Sequence, residues 1–296
     1  MTAIVYKPDG RHVSIEDTRL FVVERGQGYP ILILHGGPGL DHRMFGDYLD
    51  ALTDHYRLIF VDQRNQGRSD KAPENSWTLE QMAQDVTLLA QALELQRYAV
   101  LGHSYGALVA LQNAVDFPGH AAQTIISSGF PSTRFLEHVE HNLKNFEPEE
   151  LREQVASSWK RETTVDTADE VAALLHDQMP FHFADARDPR IKTFEERTSG
   201  AVYSPEVLRH FSNEDYGGIE VEERLGDATH PVLVLAGRYD RVCSVEAAQT
   251  IATGIPHAEL MVFENSGHMT FVEETERYLD VVRGFLDRHA KTATSK

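Results

Sequence analysis

The stretch Leu101-Gly102-His103-Ser104-Tyr105-Gly106 decides how this chain is read. Before it, Tyr98-Ala99-Val100-Leu101 predicts a buried strand; after it, Ala107-Leu108-Val109-Ala110-Leu111 predicts an amphipathic helix. Between them lies Gly-x-Ser-x-Gly. A strand that turns sharply into a helix leaves little room for side chains beside its apex. Gly102 and Gly106 therefore suit the positions two before and two after the serine. Such a turn strains the backbone of Ser104 and holds its hydroxyl out at the end of the sheet. The free N–H groups and positive dipole end of the helix converge on the same place. The alternative is a glycine-lined turn with an incidental serine, and the flanking strand and helix argue against it.

Outward from this turn the chain alternates strand and helix. Ile4 to Lys7, His12 to Ile15 and Leu20 to Glu24 predict short strands forming an antiparallel edge, punctuated by Pro8-Asp9-Gly10 and Gly26-Gln27-Gly28. Ile31-Leu32-Ile33-Leu34 and Leu58-Ile59-Phe60-Val61 are continuous apolar runs, as expected of strands buried on both faces. The first ends in His35-Gly36-Gly37-Pro38-Gly39, a tight loop whose backbone can approach a ligand closely. Pro38 has no N–H, so the N–H of Gly37 is the candidate for half of an oxyanion hole. The second ends in the polar loop Asp62 to Asp70. Helices are predicted over Met44 to Leu52 and after Thr78, whose stripe is Met82, Val86, Leu89 and Leu93. Thr124-Ile125-Ile126 is a further strand.

From about Pro131 to Leu225 no strand pattern stands out, and helical patches at Glu150 to Lys160 and Ala168 to Leu175 alternate with Pro180, Pro189 and Pro205. The alternation then resumes with strand Val232 to Ala236, helix Val245 to Ile255, strand Leu260 to Phe263 and helix Phe271 to His289. The expected organisation is an α/β core over 1–130 and 226–290, a helical cap inserted over 131–225, and a frayed tail over 291–296. Strands alternating with helices imply a mostly parallel, doubly wound sheet with function at the carboxyl ends of the strands.

Composition narrows the function classes. The chain has 296 residues, 41% of them apolar, enough for one large domain with an insertion. Its formal charge of −18 argues against nucleic acid and anionic membrane as partners, since both present phosphates. It favours solubility and attraction of a cationic substrate, although a solvated surface is the plainer role for most of these carboxylates. No apolar run is long enough to span a bilayer, and the first residues lack the pattern of a signal peptide. Cys243 is the single cysteine, which excludes an intrachain disulfide and a cysteine-based zinc site; the cytoplasm is the expected compartment. The 15 histidines form no His-x-Glu or His-Glu-x-x-His pattern, so no metal and no cofactor is expected.

His35-Gly36-Gly37-Pro38-Gly39, Asp62-Gln63-Arg64 with Gly67-Arg68-Ser69, and Gly102-His103-Ser104-Tyr105-Gly106 together resemble the α/β-hydrolase superfamily, and within it the proline iminopeptidase family. The resemblance runs nearly the length of the chain and is loosest in the helical insertion. It implies the α/β-hydrolase fold with an acid after a late strand and a histidine after the last one. Asp240, after Val232 to Ala236, and His268, after Phe263, stand in those places. His268 would take the proton of Ser104 and pass it to the leaving group, while Asp240 would orient the imidazole. The N–H groups of Gly37 and Tyr105 would receive the oxygen that becomes negative. His35 and His103 flank the site but stand in the wrong places for a general base; packing or hydrogen bonding suits them better. Cys243 reads as a buried structural thiol. An aspartate at position 104 would have pointed to an epoxide or haloalkane hydrolase.

The resemblance also implies removal of an N-terminal proline from short peptides, with the substrate's ammonium held by carboxylates of the cap and near the triad acid. Here the chain departs from the family. Arg241 follows Asp240 where an acid is expected, Trp159-Lys160 replaces a Trp-Glu pair, and Asn65 stands in place of a glycine. Glu206 is a candidate for one carboxylate, with Trp159 and Arg241 as further substrate-binding candidates. Glu147, Glu149, Glu150 and Glu153 read instead as a solvated helix start. Three functions stay open. One is a proline-iminopeptidase-type aminopeptidase on a small-molecule or short-peptide substrate. Another is a carboxylesterase or lactonase, acyl-homoserine lactones included. The third, weakest because binding needs no triad, is a non-enzymatic binding protein.

Overall fold

The apolar run before Ser104 forms a strand whose five residues are all buried, near the middle of an eight-stranded sheet. The computed structural model describes residues 10–290, so the strand expected over Ile4 to Lys7 and the tail over 291–296 lie outside the described residues. The strands are β1 (Arg11–Ile15), β2 (Thr18–Arg25), β3 (Tyr29–Leu34), β4 (Tyr56–Val61), β5 (Ala99–His103), β6 (Gln123–Ser127), β7 (Val232–Gly237) and β8 (Ala258–Phe263). Their order is β1-β2-β4-β3-β5-β6-β7-β8. β1 and β2 form an antiparallel edge, and every pairing from β4 through β8 is parallel.

Side chains alternate across this sheet into two cores. Leu32, Leu34 and Val100 face one way, against α1 (Leu79–Ala92), α2 (Tyr105–Asp116) and α8 (Val245–Gly254). Ile31, Ile33 and Leu101 face the other way, against Phe45, Phe271 and Phe285. Both faces are covered, which is why these strands read as unbroken apolar runs. Each such side chain contributes about 1.5–3 kcal/mol by leaving water.

The turn at Ser104 depends on close backbone approach. A Cβ on Gly102 would lie 2.0 Å from the carbonyl oxygen of Gly106, so no larger residue fits where β5 turns into α2.

Three local expectations are corrected. The single helix predicted over Met44 to Leu52 is two short 3-10 turns, His42–Phe45 and Asp50–Leu52, because Gly46 between them takes φ 51° and ψ −123°. The helix predicted from Phe271 is α9 (Thr270–Glu273) followed by α10 (Thr275–Ala290), broken at Glu274 with φ −128°. The patch ending at Leu175 runs on through Pro180 as far as His182, although proline leaves one intrahelical bond unmade. The loop after β4 is polar, as read, yet buried. Arg64 is fully covered there and pairs with Asp85 and Asp17. Asn65 takes φ 63°, a left-handed conformation that asparagine tolerates, and its Oδ1 accepts from the N–H of Ala72 at 2.9 Å. That explains asparagine where the resemblance expects glycine.

Between β6 and β7 the chain makes α3 (Leu136–Lys144), α4 (Glu149–Arg161), α5 (Ala168–His182), α6 (Arg190–Arg197) and α7 (Pro205–Ser212). α5 starts at a full capping box, with Thr167 and Glu170 satisfying each other's backbone N–H groups. No strand lies in this stretch; its one β contact is the isolated bridge between Ser132 and Glu220. It is tied to the loop after β3 by the bond from Ser204 N–H to the Gly39 carbonyl at 2.8 Å. Among the described residues no helix is long and apolar enough to cross a membrane.

Candidate active site

Ser104 sits between β5 and α2 at φ 56° and ψ −121°, strained for a residue with a side chain. Such a conformation costs about 1–3 kcal/mol and persists only where the surroundings impose it. Here its N–H donates to the Ser127 carbonyl at 2.9 Å, and its own carbonyl accepts from Ala107 at 2.8 Å. Tyr105 follows as the first residue of α2, where an N–H has no acceptor within the helix. Gly37, at φ 103°, lines the same cavity as Ser104 and Tyr105.

Asp240 follows β7 and is buried. Its Oδ1 accepts the N–H groups of Val242 at 2.8 Å and Cys243 at 2.9 Å, and its Oδ2 accepts from Nδ1 of His268 at 2.9 Å. Burial works to raise the pKa of Asp240, but the His268 ring and these N–H donors outweigh it and hold the carboxyl below its usual range. A carboxylate at Nδ1 puts the ring proton there and leaves Nε2 as the basic nitrogen. His268 lines the cavity with Ser104.

The His268 loop is held on several sides. Its N–H donates to the His182 carbonyl at 2.7 Å, and its carbonyl accepts from Ser128 Oγ at 3.1 Å. The rings of His103 and His182 lie 5.0 and 5.2 Å from its ring, centre to centre. Burial, then the nearby His268, pushes His103 well below the ordinary imidazole value and His182 down to about 3, so both flank His268 as neutral rings. His35 is buried, with Nδ1 against the Gly36 carbonyl and Nε2 accepting from Gln63 N–H at 3.3 Å.

The cavity measures about 370 Å³. The loops after β3, β5, β7 and β8 form its floor, α4, α5 and α7 supply walls, and most of its lining is apolar, including Leu108, Phe130, Val139 and Met179. Trp159 lines it and stacks at 19° on His182. Glu206 and Arg241 do not. Glu206 pairs with Lys71, and the guanidinium of Arg241 donates to the carbonyls of Phe181, Phe183 and Ala184. Cys243 is buried beside Asp240 and borders the cavity, its thiol pushed well up by burial.

A carboxylate that sequence reasoning missed lies in the wall. Glu162 is buried at the end of α4, and its oxygens accept from Tyr216 OH, Gln178 Nε2 and Ser212 Oγ. Burial raises its pKa against the pull of these three donors. Tyr216 is itself at φ 56°. The nearest sequence signal was Trp159, one helical turn earlier.

Two buried trios have metal-ligand atoms within 4.8 Å of one another: Asp240, Cys243 and His268, and Asp41, His42 and Asp62. In both, the carboxylate oxygens already accept hydrogen bonds. Those of Asp62 accept from His42 and Arg68, and those of Asp41 from Arg43, Arg68 and Val202.

Comparison with known proteins adds to this picture. The family described as alpha/beta hydrolase fold matches residues 29–275. A proline iminopeptidase of Lactobacillus crispatus (strain ST1) is 30% identical over 286 residues, covering 90% of this chain and 93% of that protein. Another, from Heyndrickxia coagulans, is 29% identical over 275 residues, covering 89% and 92%. The solved structure of the proline iminopeptidase of Mycobacterium smegmatis is similar with a TM-score of 0.73 at 25% identity, over 95% of this chain and 98% of that one.

Proposed function

This chain belongs to the alpha/beta hydrolase fold family, where it resembles the proline iminopeptidases, and on that premise we propose a serine hydrolase that works through an acyl-enzyme. The observation that carries the reading is the hydrogen bond from His268 to Asp240 beside a strained Ser104 on one shared cavity. Nε2 of His268 takes the Ser104 proton as Oγ attacks the substrate carbonyl. The N–H groups of Gly37 and Tyr105 receive the oxyanion; each such donor is worth about 3–4 kcal/mol of transition-state stabilisation. His268, now cationic and steadied by Asp240, gives its proton to the leaving group. Water then enters by the same route in reverse and frees the acyl group. The helical stretch over 131–225 acts as a cap that sets substrate size and excludes water.

Among small-substrate hydrolases, we favour an aminopeptidase acting on N-terminal proline. Glu162 supports this: a buried carboxylate in a mostly apolar lining suits a pyrrolidinium, with its charge met and its ring in contact with apolar side chains. It takes the part for which Glu206 was the candidate. The cytoplasm is the compartment that the single cysteine favours. The apolar extent of the lining supports a second reading, a carboxylesterase or lactonase with the same triad.

One screen separates them. Turnover of a proline arylamide that disappears when the amine is acylated supports the first reading. Turnover of p-nitrophenyl esters or lactones with silence toward the free-amine amide supports the second. No covalent adduct at Ser104 with a fluorophosphonate would sink both and leave a binding protein.

A further inference from the structure

Consecutive carboxylates at the α9–α10 break hold the His268 loop from below. Glu274 Oε2 accepts from Asn265 N–H at 3.1 Å and Ser266 Oγ at 2.7 Å. Glu273 is buried and reaches in two directions. Its Oε2 accepts from the N–H of Gly267, the residue before His268, at 2.8 Å. Its Oε1 accepts from the N–H of Ala184, just past the end of α5, at 2.8 Å. Between these anchors lies the 2.7 Å bond from His268 N–H to the His182 carbonyl. One carboxylate thus spans the two backbone segments whose contact sets the height of the catalytic imidazole. Glu273 does not border the cavity, so it can act on the reaction only through His268.

We propose that Glu273 is a positioning residue for the hydrolysis, its ionised carboxylate fixing His268 by clamping Gly267 and Ala184 together. This rests on the serine-hydrolase reading above. An ionised carboxylate has an acceptor for each N–H. Once protonated, one oxygen becomes a hydroxyl whose hydrogen must point somewhere, and the clamp loses an arm. The charged groups around it are Arg190 on α6, which donates to the Glu273 carbonyl, Asp188 paired with Arg190, Arg241 after β7, and the adjacent Glu274. Burial raises the carboxyl of Glu273 to about 7, against the two N–H donors, so the clamp opens and closes near neutral pH.

The test is the rate of fluorophosphonate labelling of Ser104 between pH 4.5 and 8.5 in the full chain, for wild type, Glu273→Gln, Glu273→Asp and Ser104→Ala, with melting followed in parallel. Wild type should label with an acid limb that includes a rise as Glu273 ionises. Glu273→Gln should be folded, label about 10- to 100-fold more slowly, and lack that rise; Glu273→Asp should recover part of the rate. Equal rates and limbs in Glu273→Gln and wild type would overturn the proposal, whatever happens to the melting temperature. Should the glutamine variant fail to fold, a wild-type limb with no rise through the range where Glu273 ionises overturns it alone. If wild type does not label at all, the serine reading fails and takes this one with it, an outcome distinct from labelling that ignores Glu273.

Discussion

Gly106 packs so tightly on β3 that a Cβ added to it would stand 2.3 Å from the carbonyl oxygen of Leu34. The start of α2 is thereby pressed onto the strand that leads to Gly37. Gly106→Ala must separate the two backbones, at a cost at or above the roughly 1–3 kcal/mol usual for overpacking. Gly226→Ala meets nothing within 4 Å and should change stability by less than about 0.5 kcal/mol. Denaturant midpoints for the two variants check this, and equal midpoints would refute the packing argument.

The Asp240 to His268 bond makes a sharper prediction about rate. Asp240→Asn keeps the shape but presents an amide to Nδ1, which favours the wrong tautomer. Turnover should fall about 10⁴-fold with KM little altered. Stability should respond to acid as well. The folded-state pKa of Asp240 is depressed, so its contribution is present above its unfolded value and lost as pH falls through the folded one. Wild type should therefore lose more stability than Asp240→Asn on acidification below about pH 4. Parallel acid-unfolding curves for the two proteins would count against an ionised Asp240.

How much of this was legible beforehand follows from what each feature depends on. The strands after which Ser104, Asp240 and His268 fall are local apolar runs, and a parallel sheet brings their ends to one edge, so these positions could be read without coordinates. Glu162 could not. Its meaning comes from Gln178, Ser212 and Tyr216, which lie on other elements of a stretch that has no sheet to organise it. Arg241 misled for the same reason. Its charge sits beside Asp240 in sequence, but its guanidinium is used up on carbonyls at the end of α5. The break at Gly46 is a backbone choice that helix periodicity alone did not reveal.

Glu162 gives a test of substrate class that separates binding from chemistry. If its carboxylate meets a substrate ammonium, Glu162→Gln removes one charge-assisted contact worth about 1.5–3 kcal/mol, or roughly 10- to 150-fold in KM for a proline arylamide. Turnover of a p-nitrophenyl ester should barely change. Because burial raises its pKa, the carboxylate ionises later than an exposed one, so the wild-type KM for the amine should drop as pH rises through that raised value. A Glu162→Gln variant that binds the arylamide as wild type does would remove the main support for the aminopeptidase reading.

Glu273 is a charge that the fold holds at a cost, and the cost has a measurable shape. Its pKa moves from 4.5 to about 7 on folding, chiefly through burial. A raised pKa means that the stabilising effect is complete below the unfolded value and is lost as pH climbs through the folded one. That displacement corresponds to roughly 3 kcal/mol. Glu273→Gln cannot titrate, so the unfolding free energy of the variant, minus that of wild type, should grow by about 3 kcal/mol from pH 4.5 to pH 8. Only the slope is predicted, because glutamine also turns an amide NH₂ toward one of the two backbone N–H groups and shifts the whole curve. Denaturant unfolding at four or five pH values gives the slope directly, and a flat difference would mean that the carboxyl titrates as an ordinary surface acid. A rising difference, together with slower labelling of Ser104 in the same variant, describes a residue that makes the protein less stable in the pH range where it holds the general base in place.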